Sequence, residues 1–382
     1  MIRLRRFVRL RRSVRLRQSV GCVALALALL TPDQLLAERE PYLAVRTGQK
    51  CSACHVNRTG GGMRNDFGVV YAGASLPMTT EGFQFQNRAL NDFVRMGADF
   101  RFTASALLTE ATARDDAPRT SLNVNRANLY LEVKLLSDKL TLYLDETLAP
   151  GGATSREFFA LVDIPEIRGY AKVGTFFLPS GLRILDDQEF IRELTGFTML
   201  AADQGVEVGI EPGRWSIQAS VTNGSRGAVE SNDGKQVTGT AAWVGRRFRL
   251  GASASRNTQD SLHTDVLGGF GGVSVGNLSL LGEVDYVQSA SGEGRAEELM
   301  AYGEGNFLIR QGVNAKVTYG FHDRDVDRPE DERVRARFGL ELFPFPYFQV
   351  SGFYVLRDDI PEDLALALPQ RDEVLLELHL LF

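Results

Sequence analysis

The amino-acid sequence predicts an all-β fold: a transmembrane antiparallel β-barrel of about 16 strands behind a short, separate N-terminal segment. Three observations carry this reading. The N-terminus has the layout of an export leader, and no later stretch reaches 18 consecutive apolar residues, so no transmembrane helix is expected. From about Asn91 onward the apolar residues recur with a period of two. The chain closes on one more alternating run that ends in an aromatic residue, Phe382. The expected parts are a signal peptide over 1–37, an N-terminal segment over 38–90 and the barrel over 91–382.

The leader is read from its charge. Eight arginines stand between Arg3 and Arg17 with no acidic residue among them. The apolar run Val20–Leu30 follows, then Thr31, Pro32 and a small residue, Ala37, after which cleavage is expected. The apolar run is too short to span a bilayer as a helix. The whole chain carries −5 and the leader +7, so the mature chain is expected at −12. That acidity excludes nucleic acid as a partner class.

The barrel rests on strands with one apolar and one polar face. Ala127, Leu129, Leu131, Val133 and Leu135 alternate with Asn128, Tyr130, Glu132 and Lys134. Leu140, Leu142 and Leu144 alternate with Thr141, Tyr143 and Asp145; Val334 to Leu342 alternate with Arg335, Arg337, Gly339 and Glu341. Short turns are expected at Ser137-Asp138, Pro212-Gly213, Gly276-Asn277 and Gln311-Gly312. Longer acidic loops are expected at 224–234, 288–298, 323–333 and 358–372, the short-and-long rhythm of an outer-membrane barrel. A soluble periplasmic sandwich also alternates, but about 16 strands of this length would make it a large one. The final run, Val374, Leu376, Leu378, Leu380 and Phe382, resembles the closing-strand signature of outer-membrane porins. A second porin resemblance lies at Gly174–Gly181, similar to the strand end before a constriction loop. After it, Arg183, Asp186, Asp187, Glu189, Arg192 and Glu193 alternate with apolar residues, either on a loop folded into the lumen or on an ordinary surface loop.

The N-terminal segment holds Cys51-Ser52-Ala53-Cys54-His55, a C-x-x-C-H. Two thiols at this spacing add across the two vinyl groups of one haem, and the next His reaches the iron as proximal ligand. One covalent haem c is therefore expected on Cys51 and Cys54, with His55 on the iron. A zinc site lacks its other ligands, since the mature chain has no further Cys and the nearest other His is His263. The distal ligand is open between Met63, eight residues after His55 and favoured, Met78, 23 after, and none at all. His263, His322 and His379 are expected within the barrel. Gly60, Gly61 and Gly62 either let the backbone approach a flat cofactor or form a flexible turn, and Arg58 is a candidate partner for a propionate. The 53 residues of 38–90 are too few to bury a haem in a core of their own. The segment is expected to plug the barrel mouth, with the lumen wall as its cover.

Leu43 to Lys50, the motif itself and Phe67-Gly68 together resemble the fused monohaem cytochrome–porins of the outer membrane. The resemblance covers the whole architecture, and in residue detail about 42–72. It implies electron transfer between an extracellular redox substrate such as iron and a periplasmic c-type cytochrome. The run Asn57–Gly62 departs from the iron-oxidising pattern, and the barrel is short for that group, so iron as substrate is the weakest of these implications. Two other readings stand beside it. One is a transport porin in which the haem segment gates or senses. The other is a haem enzyme, which lacks a nearby distal His and has Arg58 and Arg64 as its remaining acid–base candidates.

Overall fold

The computed structural model describes residues 41–82, 89–108, 120–136, 139–186, 188–228, 230, 232–260, 262–292, 294–329, 331–358 and 372–381. The leader, the turn Ser137-Asp138, Asp187, most of 358–372 and Phe382 lie outside them. Sixteen antiparallel strands close a barrel. They are β1 (Val94–Leu108), β2 (Thr120–Leu135), β3 (Leu140–Ala149), β4 (Thr154–Ile164), β5 (Gly169–Phe176) and β6 (Asp203–Ile210). Next come β7 (Trp215–Thr222), β8 (Gln236–Val244), β9 (Phe248–Gln259), β10 (Leu262–Val275) and β11 (Leu278–Ser291). The last five are β12 (Gly294–Arg310), β13 (Val313–Asp323), β14 (Glu332–Phe345), β15 (Phe348–Asp358) and β16 (Asp372–Leu381). Each strand pairs with its neighbours in sequence, and β16 returns to β1, with Asp99 opposite Leu381 and Leu108 opposite Asp372. Closure removes every free edge, as a hydrocarbon surround demands of strands.

Alternation places the apolar side chains outward. On β6, Val206, Val208 and Ile210 are exposed while Glu207 is buried. On β13, Val317 and Tyr319 are exposed while Asn314, Lys316, Thr318 and His322 are buried. A protein whose apolar face is outside and whose charges are inside is built for lipid. Trp215, Phe248, Phe345, Tyr347 and Phe348 gather near the short-turn end, an interfacial aromatic belt. In outer-membrane barrels that end faces the periplasm.

Two departures from the sequence reading have physical reasons. The acidic stretch 288–298 is not a loop. β11 runs to Ser291 and β12 starts at Gly294, with Arg295 bonded across the hairpin to Gln288 at 2.7 Å and along its own strand to Glu297 at 2.6 Å, so the hairpin continues past the apolar band on polar side-chain pairs. On β3 to β5 the lumen face is not uniformly polar. Tyr143, Phe159, Leu161 and Tyr170 point inward and bury against one another, because the lumen there holds protein instead of water.

The protein inside comes from two segments. Between β5 and β6, residues 177–202 fold inward around a single helical turn, α3 in this fold's inner loop (Phe190–Glu193). Asp186, Glu189 and Arg192, three of the charges expected on this loop, are engaged by the wall. Arg192 donates to both oxygens of Glu283 at 2.7 and 2.8 Å, and Arg335 donates to Glu189 at 2.5 Å and to Asp186 at 2.8 Å. Arg337 also pairs with Asp186, and these two guanidiniums hold the Asp186 carboxyl well below the usual carboxylate range despite its burial. The second inner segment is the N-terminal one, residues 41–82. It contains α1 (Pro41–Thr47) and α2 (Asp66–Ser75).

Candidate functional site

The N-terminal segment builds the C-x-x-C-H motif on a tight scaffold. α1 stops at Gly48, whose φ of +62° closes the helix, and a Cβ there would meet the Gly245 and Arg246 carbonyl oxygens at 2.7 Å. Cys51–Ala53 then form a 3₁₀ turn, with Cys54 N and His55 N both donating to Cys51 O at 3.1 and 3.0 Å. Positions i, i+3 and i+4 fall on one side of such a turn, so both thiols and the imidazole face together. His55 pairs with Arg64 in an antiparallel bridge, and Val56 N donates to Met63 O at 3.1 Å. The chain reverses between them on Gly60, Gly61 and Gly62, with φ of +92°, +80° and +60°. Asn57 starts this reversal, its Oδ1 accepting from Thr59 N and Oγ1 at 3.2 and 2.9 Å.

Asn65 holds the turn from behind. Its Oδ1 caps α2 by accepting from Gly68 N at 2.9 Å, and its Nδ2 donates to Ser52 O and Ala53 O at 3.2 and 3.1 Å. Gly68 packs directly beneath the Cys54 carbonyl, where a Cβ would overlap the oxygen. A Gly68→Ala substitution is therefore expected to displace the Cys51–His55 turn. If the sequence's expectation of a covalent haem holds, the readout is haem per unit of protein on a denaturing gel, expected to fall several-fold while the barrel still folds and inserts.

The segment is wedged into the short-turn mouth of the barrel. Lys50 Nζ donates to Glu211 O at 2.9 Å and Ser52 Oγ to the Glu211 carboxylate at 2.9 Å. Arg46 reaches Ser279 Oγ at 3.3 Å, Gln311 donates to Pro77 O at 2.9 Å, and Met78 N donates to Phe343 O at 2.7 Å. Deeper in, Asn57 donates to Glu157 at 2.9 Å and accepts from the buried Lys172 at 3.3 Å. Tyr143 OH accepts from Met63 N at 2.8 Å. Thr59 Oγ1 accepts from Arg183 of the inner loop at 2.8 Å, so plug and loop touch.

Between plug, loop and wall lies a cavity with about 1570 Å³ of empty space, solvent at its mouth included. Cys51, Cys54 and His55 all line it, as do Gly60, Gly61 and Gly62. Neither thiol is in a disulfide. Burial pushes the Cys54 thiol up, against the pull of Arg64, and lowers the Lys50 ammonium. Seven arginines line the space, Arg58, Arg64, Arg101, Arg126, Arg156, Arg183 and Arg249, against one carboxylate, Asp99, among the described lining residues. Leu43, Leu182, Leu185 and Tyr71 supply apolar surface. Two thiols and one imidazole facing a space with apolar walls and paired guanidiniums form a donor set that suits a haem with its two carboxylates.

The other sequence candidates separate. Met63 lies opposite Val56 in the bridge, so its side chain leaves on the face away from His55 and Arg64. It is buried at 1 % exposure among Tyr130, Tyr143, Phe159 and Phe176 and does not line the cavity. Met78 sits against the Gly312 turn, also outside it. Arg58 lines the cavity but pairs with Asp163 at 2.5 Å. His379 lines it too, whereas His322 bonds Glu298 at 2.7 Å and His263 is exposed near a loop. Met199, on the inner loop, lines the cavity and was not a sequence candidate. Only the lumenal fold of 177–202 brings it there.

No known protein family and no curated protein sequence matches the chain. Solved structures do. Outer-membrane OmpT of Vibrio cholerae aligns with a TM-score of 0.58 at 11 % identity, over 78 % of this chain and 100 % of its own. The anion-selective porin of Comamonas acidovorans aligns at 0.58 and 10 %, over 76 % and 99 %. The outer-membrane channel DcaP of Acinetobacter baumannii aligns at 0.57 and 12 %, over 76 % and 97 %. The fold is a porin-type barrel. About a quarter of this chain lies beyond these alignments.

Proposed function

We propose that this chain is an outer-membrane protein, exported by its 1–37 leader, that carries one haem c inside the periplasmic half of its barrel. In this reading it passes electrons between an extracellular donor or acceptor and a periplasmic c-type cytochrome. One observation supports it above the others: Cys51, Cys54 and His55 face a single cavity inside the lumen, on a segment wedged into the periplasmic mouth. Cys51 and Cys54 would hold the haem and His55 would ligate its iron. A haem there supplies a one-electron centre within an otherwise insulating wall. The chain's own residues do the rest. Cavity arginines would pair the carboxylates of the group and add positive charge that favours its reduced state. The plug and the inner loop meet across the lumen and narrow it around the group. Ferrous iron is the first extracellular reductant to try.

A second reading, a transport porin whose N-terminal segment gates the lumen, is favoured by the likeness to the channels and porins above. It also draws on a second, charge-lined space on the far side of the inner loop, bordered by Arg101, Glu304, Lys316, Arg335 and Glu373. One preparation separates the two. Protein from cells able to mature c-type cytochromes is compared with Cys51→Ala/Cys54→Ala, by reduced-minus-oxidised visible spectra before and after denaturation and by electron transfer into sealed vesicles. A covalent c-type spectrum that vanishes in the variant, with haem-dependent electron flux, supports the conduit. No covalent haem, or vesicles whose flux ignores it, leaves the gated porin.

A further inference from the structure

We infer that the barrel itself supplies the distal iron ligand, through the thioether of Met199 on the inner loop; this rests on the haem reading above. Met199 is 3 % exposed and lines the same cavity as Cys51, Cys54 and His55. It stands against the glycine reversal that follows His55. A Cβ on Gly61 would come within 2.8 Å of Met199 Cε, and one on the adjacent Gly60 within 3.2 Å of Cys51 Sγ. So the thioether and the attachment thiol flank one short piece of backbone.

The position is fixed from both sides. Arg156 Nη2 donates to the Met199 carbonyl at 2.9 Å, the side chain packs on Phe177 and Ala202, and the loop is pinned through Arg192–Glu283 and Arg335–Glu189. Arg183 Nη1 lies 3.7 Å from the sulfur, a contact weak enough for a metal to replace. The rival donors are placed worse. Met63 faces the aromatic cluster, and Met78 lies on the Gly312 turn. His379 reaches the cavity, but its Nδ1 and Nε2 are bonded to Gln349 and Asp99 at 3.0 and 3.1 Å. A neutral thioether opposite an imidazole raises a haem potential, and here it would tie the plug's cofactor to the barrel's loop.

The test uses full-length holoprotein with Met199→Ala, Met199→His and Met63→Leu. The readouts are the weak far-red band of a thioether–ferric-iron bond, the midpoint potential, and covalent haem on a denaturing gel. The expected result is a band in the wild type and in Met63→Leu. It is lost in both Met199 variants, which keep full covalent haem and show a lower potential. A band that survives Met199→Ala, a band lost in Met63→Leu alone, or a wild type with covalent haem and no such band overturns the inference. A wild type with no covalent haem overturns the haem reading first and this inference with it.

Discussion

Removing residues 41–82 from the mature chain is expected to turn it into an open channel. Single-channel conductance in a planar bilayer should rise roughly tenfold or more towards that of a water-filled barrel of this strand number. The argument is that the plug belongs to the lumen and not to the wall. The hydrogen-bonded ladder runs from β1 round to β16 and back without a residue of 41–82 in it. The inner loop keeps its own anchors, since Glu283, Thr318, Arg335 and Arg337 all belong to strands. What goes with the plug is Tyr42 and Val45 from one buried cluster, Met63 from another, and Ala72 and Leu76 from a third. The truncated chain should still migrate as a folded barrel on a cold gel. Unchanged conductance would assign closure to the loop, and a chain that no longer folds would make the plug part of the core.

The barrel was legible in the sequence because its two sides meet different solvents. Leu129, Leu131 and Val133 against Tyr130 and Glu132 is the pattern that a lipid-facing outer surface and a filled inner one sustain. The reading weakens where the lumen is apolar too. Phe158 points out and Phe159 in, so both faces of β4 look alike and alternation no longer says which is which. It also misplaces the 288–298 hairpin, because acidic composition suggests a loop while the paired ladder of β11 and β12 keeps it a strand. At the site, Cys51, Cys54 and His55 carry their chemistry in local spacing and needed no fold to be found. Asn65 and Gly68 were within reach, since an Asn before a helical run is an N-cap signal, but nothing local said that the cap would also grip Ser52 and Ala53. Met199 was out of reach. No periodicity links it to His55, and its place depends on how far a loop between β5 and β6 bends into the barrel.

Replacing Lys172 by Met should produce the largest loss of stability of any single change in the wall around the plug. Lys172 and Glu207 are each fully buried and lie 2.9 Å apart. The ammonium also sits over the rings of Phe176 and Phe159, 4.4 and 5.1 Å from their centres, and donates to Asn57 of the plug. Met fills similar volume and keeps the aromatic packing, so the change isolates charge. It leaves the Glu207 carboxylate buried, with the Tyr170 hydroxyl donating to it at 2.7 Å. Stranding one partner of a buried pair costs about 3–5 kcal/mol. Chemical unfolding in detergent, followed through the Trp215 and Trp243 emission, is the measurement. Adding Glu207→Leu to Lys172→Met should recover a large part of that loss, because both charges then leave together; the Tyr170 hydroxyl loses its acceptor and sets the remainder at about 1 kcal/mol. A cost below about 1 kcal/mol for Lys172→Met alone would mean that water reaches Glu207 once the ammonium is gone. The contact between plug and wall would then be wet, and Asn57, bonded to both Lys172 and Glu157, would hold the plug through exchangeable water instead of a dry polar core.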